Sequence, residues 1–227
     1  MRNFNLAIDG PAGAGKSTIA KRLARRLGFI YVDTGAMYRA MALYFLRNSI
    51  EASDTARIEE ACKDVDITIE YKDGEQFVIL NGENVNGLIR TEEVGNMASA
   101  SSVNKAVRLK LVELQQNLAK KESVVMDGRD IGTYVLPNAE LKIYLTASSK
   151  ERARRRWTEL NEKGIAADLE EIEQDIIERD QRDMTRAFAP LRQAEDAVLL
   201  DSSDLTIDEV VEKIMALYET QASSKNK

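Results

Sequence analysis

The 227-residue sequence contains no histidine and only one cysteine, Cys62. Without histidine, catalysis by a Ser-His-Asp triad or a Cys-His pair and metal binding through imidazole are excluded. A single cysteine allows no intrachain disulfide and excludes a zinc site built from several thiolates. Any catalysis must therefore use carboxylates, lysine, arginine, hydroxyl groups or the backbone.

Long apolar runs are also missing. The apolar run before Gly10 is much too short for a signal peptide, and no later run is long enough to span a membrane. We therefore expect a reduced, cytoplasmic protein with no membrane partner. The net charge of −6 argues against a general nucleic-acid-binding protein, because phosphate backbones bind basic surfaces. We expect no nucleic-acid partner, and we expect a monomer.

Positive charge is nevertheless concentrated locally. Arginines fall in two groups in the C-terminal half, namely Arg152, Arg154, Arg155 and Arg156, followed by Arg179, Arg182, Arg186 and Arg192. An acidic protein with such groups is suited to binding a small anion. The first group is alternatively a solvated helix face, since Glu151 precedes Arg155 by four residues.

Short apolar segments alternate with helical patterns over most of the chain. The segments typical of buried strands are residues 4–9, 29–33, 123–127, 141–147 and 197–203. Helical patterns cover roughly residues 15–27, 34–49, 102–121, 148–162, 169–186 and 206–219. Thr34 is the expected N-cap of the second helix, and Gly28 is the expected C-terminal cap of the first. This alternation predicts an α/β fold with a five-stranded parallel sheet covered on both faces.

Residues 65–89 interrupt this pattern. Apolar and polar residues alternate there with period two, and Asp73-Gly74 and Asn81-Gly82 are typical of hairpin turns. The segment predicts a small antiparallel sheet within an inserted subdomain of about residues 63–98. The alternative is one more hairpin at the edge of the main sheet. We predict a single domain over residues 1–220, with its core in 1–62 and 99–220, and a disordered tail at 221–227.

The glycine-rich segment GPAGAGKST joins the first strand to the first helix, and its spacing fits G-x-x-x-x-G-K-[ST]. Such a loop turns backbone N–H groups around phosphate oxygens, while its lysine reaches the β and γ phosphates and its hydroxyl binds Mg²⁺. We therefore predict a nucleoside triphosphate site, with Ser17 as the metal ligand, that consists of Gly10, Pro11, Ala12, Gly13, Ala14, Gly15, Lys16, Ser17 and Thr18.

A dinucleotide-binding loop is the alternative. Asp33 ends the second strand, where an acid that binds ribose would lie, but the glycine spacing does not match G-x-G-x-x-G. P-loop proteins themselves include switches, motors and small-molecule kinases, so the loop alone does not define the acceptor.

The identity of the acceptor depends on which charged residues surround it. A kinase that phosphorylates a hydroxyl usually needs a carboxylate to take the proton, whereas a phosphate acceptor is already anionic. Two anions must then be brought together, and Arg39, Arg129 and Arg186 lie beside glycines, acids or turn residues. These arginines favour phosphate-to-phosphate transfer. Several alternatives stay open. The acceptor could be another nucleoside monophosphate such as UMP or AMP, or a hydroxyl with Asp33 as the base. The protein could also be a nucleotide-dependent switch or, less favoured, a nucleic-acid-binding module.

Six segments resemble the successive motifs of bacterial-type cytidylate kinases, namely IDGPAGAGKST, DTGAMYR, IRTEEVGNMAS, MDGRDIGTYVLPNA, ERARRR and ERDQRDMTRAFAPL. The likeness extends in order from Leu6 to about Ile214. It implies a P-loop three-layer fold and transfer of the γ-phosphoryl group of ATP to CMP or dCMP, with Mg²⁺. The period-two insertion lies where the family has an extra subdomain on the nucleotide side.

The resemblance also implies roles for individual residues. It assigns the CMP phosphate to Arg39, Arg129 and Arg186. It assigns the cytosine to Ser99, Arg108 and Asp130, with Thr34 as a further contact on the base side, and the sugar to Arg179 and Asp183. It implies an arginine-rich lid at about residues 150–168, in which Arg152, Arg155 and Arg156 match the family spacing and Arg155 is the expected ATP contact. The catalytic set that we predict is Lys16, Asp127, Arg129 and Arg186.

The chemistry of two carboxylates in MDGRD, Asp127 and Asp130, also suggests a role for each. Cytosine presents an amino donor at N4, which Asp130 can accept, whereas uracil would oppose a lone pair to that carboxylate. Asp127 ends a buried strand, where P-loop proteins place an acid that orients water or Mg²⁺. The alternative for Asp127 is a salt bridge to Lys16 or Arg129.

Overall fold

The computed structural model describes residues 3–72 and 75–225. The strands in this part of the chain are β1 (Asn5–Asp9), β2 (Ile30–Asp33), β3 (Ile67–Lys72), β4 (Glu75–Leu80), β5 (Glu83–Asn84), β6 (Val124–Gly128), β7 (Leu141–Thr146) and β8 (Val198–Asp201). The helices are α1 (Lys16–Leu27), α2 (Thr34–Arg47), α3 (Thr55–Asp64), α4 (Glu92–Ser101), α5 (Lys105–Lys121), α6 (Ser149–Glu162), α7 (Leu169–Thr185) and α8 (Ile207–Lys225).

The main sheet has the order β2-β6-β1-β7-β8, and each adjacent pair is parallel. This confirms the predicted five-stranded parallel sheet. Strands β1 and β6 are almost completely buried because helices cover both faces. Ile19 of α1 and Ile214 of α8 belong to the buried cluster on one face, whereas Met37 of α2 and Leu111 of α5 belong to the cluster on the other.

Strands β3, β4 and β5 form a separate antiparallel sheet in that order, rather than another hairpin of the main sheet. Asn81 and Gly82 both have positive φ, which fits the predicted hairpin turn. The other predicted turn, Asp73-Gly74, lies outside the described residues. The small sheet contacts the edge strand β2, since the side-chain oxygen of Gln76 accepts a hydrogen bond from the Asp33 N–H at 2.8 Å.

Helix boundaries differ from the predictions at three places. Asp33, rather than Thr34, caps α2, because the Asp33 carboxylate accepts the Ala36 N–H while the Thr34 hydroxyl donates to the Asp127 carbonyl oxygen. The helix expected over 102–121 begins at Lys105, after Asn104 caps it, and the separate helix α4 precedes it. Helices α3 and α4 were not predicted. Gly28 caps α1 in the left-handed conformation, as predicted.

The expectation of a disordered tail is wrong for residues 221–225, which continue α8. Ala222, like Tyr218, packs against the buried cluster that contains Phe4, so this last part of the helix has an apolar contact that stabilises it. The final two residues lie outside the described part of the chain. Within that part, no helix has both the length and the apolar character to cross a membrane.

Candidate active site

The candidate site is a cavity at the carboxyl edge of the main sheet. Its lining includes P-loop residues 12–18 after β1, residues 33–35 after β2 and residues 127–131 after β6, together with side chains from α4, α5 and α7. The carboxyl ends of parallel strands meet at one edge, so loops that are far apart in the sequence come together there. The cavity therefore has a P-loop end and an end lined by charged side chains.

The P-loop has the backbone shape that its glycines permit. Gly10 and Gly13 have φ values of 150° and 75°. A Cβ atom at Gly10 would lie 1.9 Å from the carbonyl oxygen of Leu145, so no other residue fits there without a shift of the backbone. Lys16 is buried at the start of α1 and donates from Nζ to the Pro11 carbonyl oxygen at 2.6 Å. Burial first, and then the charge of Arg129, lowers the pKa of Lys16.

Asp127 and Ser17 form a pair of oxygen ligands beside the P-loop. The Ser17 hydroxyl donates to Oδ2 of Asp127 at 2.8 Å, and the Tyr31 hydroxyl donates to Oδ1 at 2.9 Å. Burial first, and then the nearby Asp33 carboxylate, raises the pKa of Asp127. Asp127 makes no salt bridge among the described residues, so the alternative pairing with Lys16 or Arg129 is wrong for this structure.

The Asp33 carboxylate has structural partners on both of its oxygens. One of its oxygens accepts the Ala36 N–H at 2.9 Å as the cap of α2, and the other pairs with Arg90 at 2.7 Å. These two contacts give Asp33 a structural role at the end of β2. Neither a bound ribose nor a proton-accepting function is needed to explain an acid at this position.

The far end of the cavity contains a buried arginine–carboxylate cluster. Asp130 accepts from Nη2 of Arg108 at 2.5 Å and from Nη2 of Arg186 at 3.2 Å. Relative exposures of 1% for Arg108, 4% for Asp130 and 9% for Arg186 place all three in the interior. The Arg108 guanidinium also lies 5.4 Å from the centre of the Tyr38 ring. The cluster carries more positive than negative charge, which favours an anionic or electron-rich ligand.

Two further arginines that line the cavity are Arg129 and Arg179. Nε of Arg129 donates to Asp183 of α7 at 2.8 Å, and Arg186 lies 3.7 Å from the other oxygen of Asp183. Nε of Arg179 is buried and has no hydrogen-bond partner among the described residues. Burial first, and then the charge of Arg129, lowers the pKa of Arg179 to about 10. A buried donor without a partner is costly, so an anion in the cavity would relieve it.

Every residue predicted for the acceptor lines this one cavity, namely Thr34, Arg39, Ser99, Arg108, Arg129, Asp130, Arg179, Asp183 and Arg186. Arg39 is half-buried and donates to the Ile89 carbonyl oxygen at 3.4 Å. Burial first, and then the nearby Arg90, lowers the pKa of Arg39. The Ser99 hydroxyl oxygen accepts from Arg182 at 3.3 Å.

The arginines of α6 have three different environments. Arg155 binds the Ser202 carbonyl oxygen at 2.6 Å and lines a separate cavity beside Ala14 and Gly15 of the P-loop. Arg154 and Arg156 are exposed and pair with acids on their own helix, as expected for a solvated helix face. Arg152 is buried against the P-loop backbone.

Sequence comparisons identify relatives of this chain. The sequence model of the family described as cytidylate kinase matches residues 6–220. A cytidylate kinase from Caldicellulosiruptor bescii is 55% identical over 218 residues, which are 96% of each chain. One from Caldicellulosiruptor saccharolyticus is 54% identical over the same shares. The chain belongs to the cytidylate kinase family.

Structural similarity extends beyond the cytidylate kinase family. The structure of a gluconokinase from Sinorhizobium meliloti 1021 superposes with a TM-score of 0.50, covering 99% of this chain and 98% of that one. Only 13% of the residues are identical, so this likeness shows a shared P-loop kinase fold and nothing about the substrate.

Two residues near the candidate site, Asp9 and Gln115, were not predicted from the sequence. Asp9, at the end of β1, accepts the Ile131 and Gly132 N–H groups at 2.7 Å each. It therefore holds the π-helical turn that follows Asp130. Burial raises the pKa of Asp9 to about 6. An acid at the end of an otherwise apolar strand was the available signal.

Gln115 is the second missed residue. It lies on α5 seven residues after Arg108, which places both on the same face after two helical turns. It is buried and lines the cavity, and within the part of the chain that the structure describes its amide nitrogen has no hydrogen-bond partner. Helical spacing from Arg108 could have identified it, but the sequence also permits an ordinary packing role.

Proposed function

We propose that this protein transfers the γ-phosphoryl group of ATP to CMP, and also to dCMP, to form ADP together with CDP or dCDP. The observation that carries the proposal is the buried Arg108–Asp130–Arg186 cluster at one end of a cavity whose other end is a P-loop. Membership of the cytidylate kinase family supports the same acceptor.

Asp130 is the proposed reader of the cytosine. An ionised carboxylate has about four acceptor positions on its two oxygens, and Arg108 and Arg186 occupy two of them. The remaining positions can accept the N4 amino group of cytosine. Uracil has an oxygen there, so it would leave this carboxylate facing a lone pair. Arg108 and Ser99 are the proposed partners for the other polar atoms of the base, and Thr34 offers its hydroxyl lone pairs.

Arginines are the proposed ligands of the acceptor phosphate. Arg39, Arg129 and Arg186 all line the cavity that also contains the P-loop residues. Arginine binds phosphate through two parallel N–H donors, which fixes direction as well as charge. Arg179 and Asp183 are the proposed sugar contacts, and the free Nε of Arg179 is suited to a hydroxyl oxygen.

The P-loop is the proposed site of the ATP phosphates. Its backbone N–H groups surround the phosphates and Lys16 supplies positive charge. The separate cavity that Arg155 lines begins at Ala14 and Gly15, so it is the proposed adenine site. The oxygens of Ser17 and Asp127 are 2.8 Å apart and suit Mg²⁺, which prefers oxygen ligands and would neutralise phosphate charge when bound.

The proposed mechanism needs no general base. The acceptor oxygen of CMP is already anionic, so the residues act by holding the two substrates in line and by stabilising the charge of the transferred group. Lys16, Arg129 and Arg186 supply that charge from fixed positions, and Asp127 orients the Ser17 hydroxyl. Closure of residues 150–168 and of the inserted subdomain would exclude water and limit ATP hydrolysis.

A screen of acceptors tests this function. The purified protein is given ATP and Mg²⁺ with CMP, dCMP, UMP, AMP or a sugar alcohol, and ADP release is measured. We expect CMP and dCMP to be the best acceptors and release without an acceptor to be slow. Preference for AMP or for a sugar alcohol would refute the proposal, and hydrolysis that no acceptor accelerates would indicate a switch instead.

A further inference from the structure

The P-loop is held from outside by a buried ion pair. Arg152 of α6 donates from Nη1 to the carbonyl oxygen of Ala12 at 2.7 Å and pairs with Oδ2 of Asp180 on α7 at 2.6 Å. Oδ1 of Asp180 accepts the Ala12 N–H at 3.1 Å. Both polar backbone groups of one P-loop residue are therefore bound by a single arginine–carboxylate pair, whose members are 6% and 7% exposed.

These contacts leave Arg152 little capacity to bind a phosphate. Its Nε donates to the Ala147 carbonyl oxygen at 2.9 Å, and its charge is balanced by Asp180. The spacing of ERARRR makes Arg152 a candidate for a lid over the triphosphate, but its side chain is buried and donates to the loop backbone at Ala12. Its geometry suits a residue that acts on the P-loop itself.

Asp180 also lies on the helix that lines the acceptor end of the cavity. Arg179 and Asp183, within one turn of Asp180 on α7, both line that cavity. Residues within one helical turn keep fixed relative positions. The helix therefore contacts the acceptor site through one face and the P-loop through Asp180.

We propose that Arg152 and Asp180 are positioning residues that hold the P-loop at Ala12 in the shape that binds the ATP phosphates. This inference rests on the proposed function. The loop contains three glycines with positive φ, Gly10, Gly13 and Gly15, so its backbone has many alternative conformations. Without the pair, Ala12 would lose both anchors, and ordering the loop would become part of the cost of binding ATP.

Calorimetric titration of the full-length protein tests the proposal, with a non-hydrolysable ATP analogue and with CMP in separate experiments. The double variant Arg152→Met with Asp180→Leu removes both charges together, so it buries no unpaired charge. Asp180→Asn keeps an acceptor for the Ala12 N–H but removes the ion pair. The exposed pair of Arg22 and Asp208, changed to Met and Leu, is the matched control.

We expect the double variant to bind the ATP analogue at least about tenfold more weakly, about 1.4 kcal/mol, and to bind CMP within about twofold of wild type. For Asp180→Asn we expect an affinity for the ATP analogue between those of the wild type and the double variant. The control pair should change neither affinity. Thermal unfolding of each variant reports stability separately. Wild-type affinity for the analogue in the double variant would overturn the inference, as would an equal loss of both ligands. If the wild-type protein binds neither nucleotide, the proposed function fails instead.

Discussion

The two ends of the cavity are built from different chemistry. At the P-loop end, residues 12–18 of a loop rich in glycine and alanine line the cavity, and Lys16 is the cation that this loop contributes. At the other end, Arg108, Asp130 and Arg186 form a buried cluster of side chains. One end therefore offers a backbone shape, and the other offers a fixed pattern of charges and hydrogen-bond groups.

This difference predicts where specificity arises. Backbone N–H groups bind phosphate oxygens, which all nucleoside triphosphates share, so the P-loop end cannot by itself distinguish one base from another. Buried side chains with few free positions leave a wrong base with unpaired polar groups, which is costly. We therefore expect the loop to determine affinity for the phosphoryl donor and the cluster to determine which acceptor is used.

The largest effect should come from the lysine at the P-loop end. Lys16→Met keeps a similar length but removes the charge that we propose acts on the transferred group. We expect kcat to fall about 1000-fold, because one preorganised charged donor is lost from a site that excludes water. Steady-state kinetics at saturating ATP and CMP measure this. Arg25→Met removes an exposed charge from the same helix and should have no effect. A decrease of less than tenfold for Lys16→Met would contradict the role.

At the acceptor end, Asp130→Asn removes the charge that two buried arginines share. We expect kcat/KM for CMP to fall about 100-fold while binding of an ATP analogue is kept, because the cytosine loses its acceptor. The free energy of unfolding should fall by about 3 kcal/mol, because Arg108 and Arg186 stay buried without a full counter-charge. Kinetics, calorimetry and urea unfolding test the three parts. Unchanged efficiency with CMP would exclude the base-reading role.

Backbone shape at the P-loop end is tested by two glycines. Gly10→Ala places a Cβ against the Leu145 carbonyl oxygen, so we expect a loss of about 3 kcal/mol or more of unfolding free energy together with weaker ATP binding. Gly28→Ala is the matched control, since Gly28 also has positive φ but has open space around it. It should cost only about 1 kcal/mol and leave ATP binding unchanged. Equal costs would show that the close approach of the backbone does not matter.

The smallest effect concerns Asp9, which directly precedes the P-loop and accepts the N–H groups of Ile131 and Gly132 after Asp130. Its pKa in the folded protein, about 6, lies above the value of 3.8 for a free side chain, so the folded state holds this proton more tightly. The stabilising contribution is therefore present at low pH and is lost as pH rises through 6. The unfolding free energy of wild type minus that of Asp9→Asn should fall by on the order of 2 kcal/mol between pH 4 and pH 7. Urea unfolding at both pH values measures it, and a difference that rises with pH would contradict the burial of this carboxylate.

Local patterns were enough to predict much of the fold. The strands of the main sheet are short apolar segments, and glycine spacing defines the P-loop, so both are properties of neighbouring residues. Helix α4 was missed because it lies in the region assigned to the insertion, and α3 because its apolar face is narrow: only Ile58, Ala61 and Cys62 are buried.

Long-range side-chain pairs could not be predicted in the same way. Arg152 and Asp180 are 28 residues apart, and no spacing rule indicates that they meet at Ala12. The MDGRD segment predicted that its acids and arginine reach the cavity. That Asp130 is shared by Arg108 and Arg186 follows only from the packing of α5, β6 and the segment after α7.

The comparison between the two ends is tested most directly by exchanging each substrate in turn. One panel varies the acceptor among CMP, UMP and AMP with ATP, and the other varies the donor among ATP, GTP and UTP with CMP, with kcat/KM measured for each pair. We expect kcat/KM for CMP to exceed that for the other acceptors by about 100-fold or more. It predicts a spread of only about tenfold among donors, because the loop binds phosphates that all three share. A sharp choice of donor together with a flat choice of acceptor would contradict it.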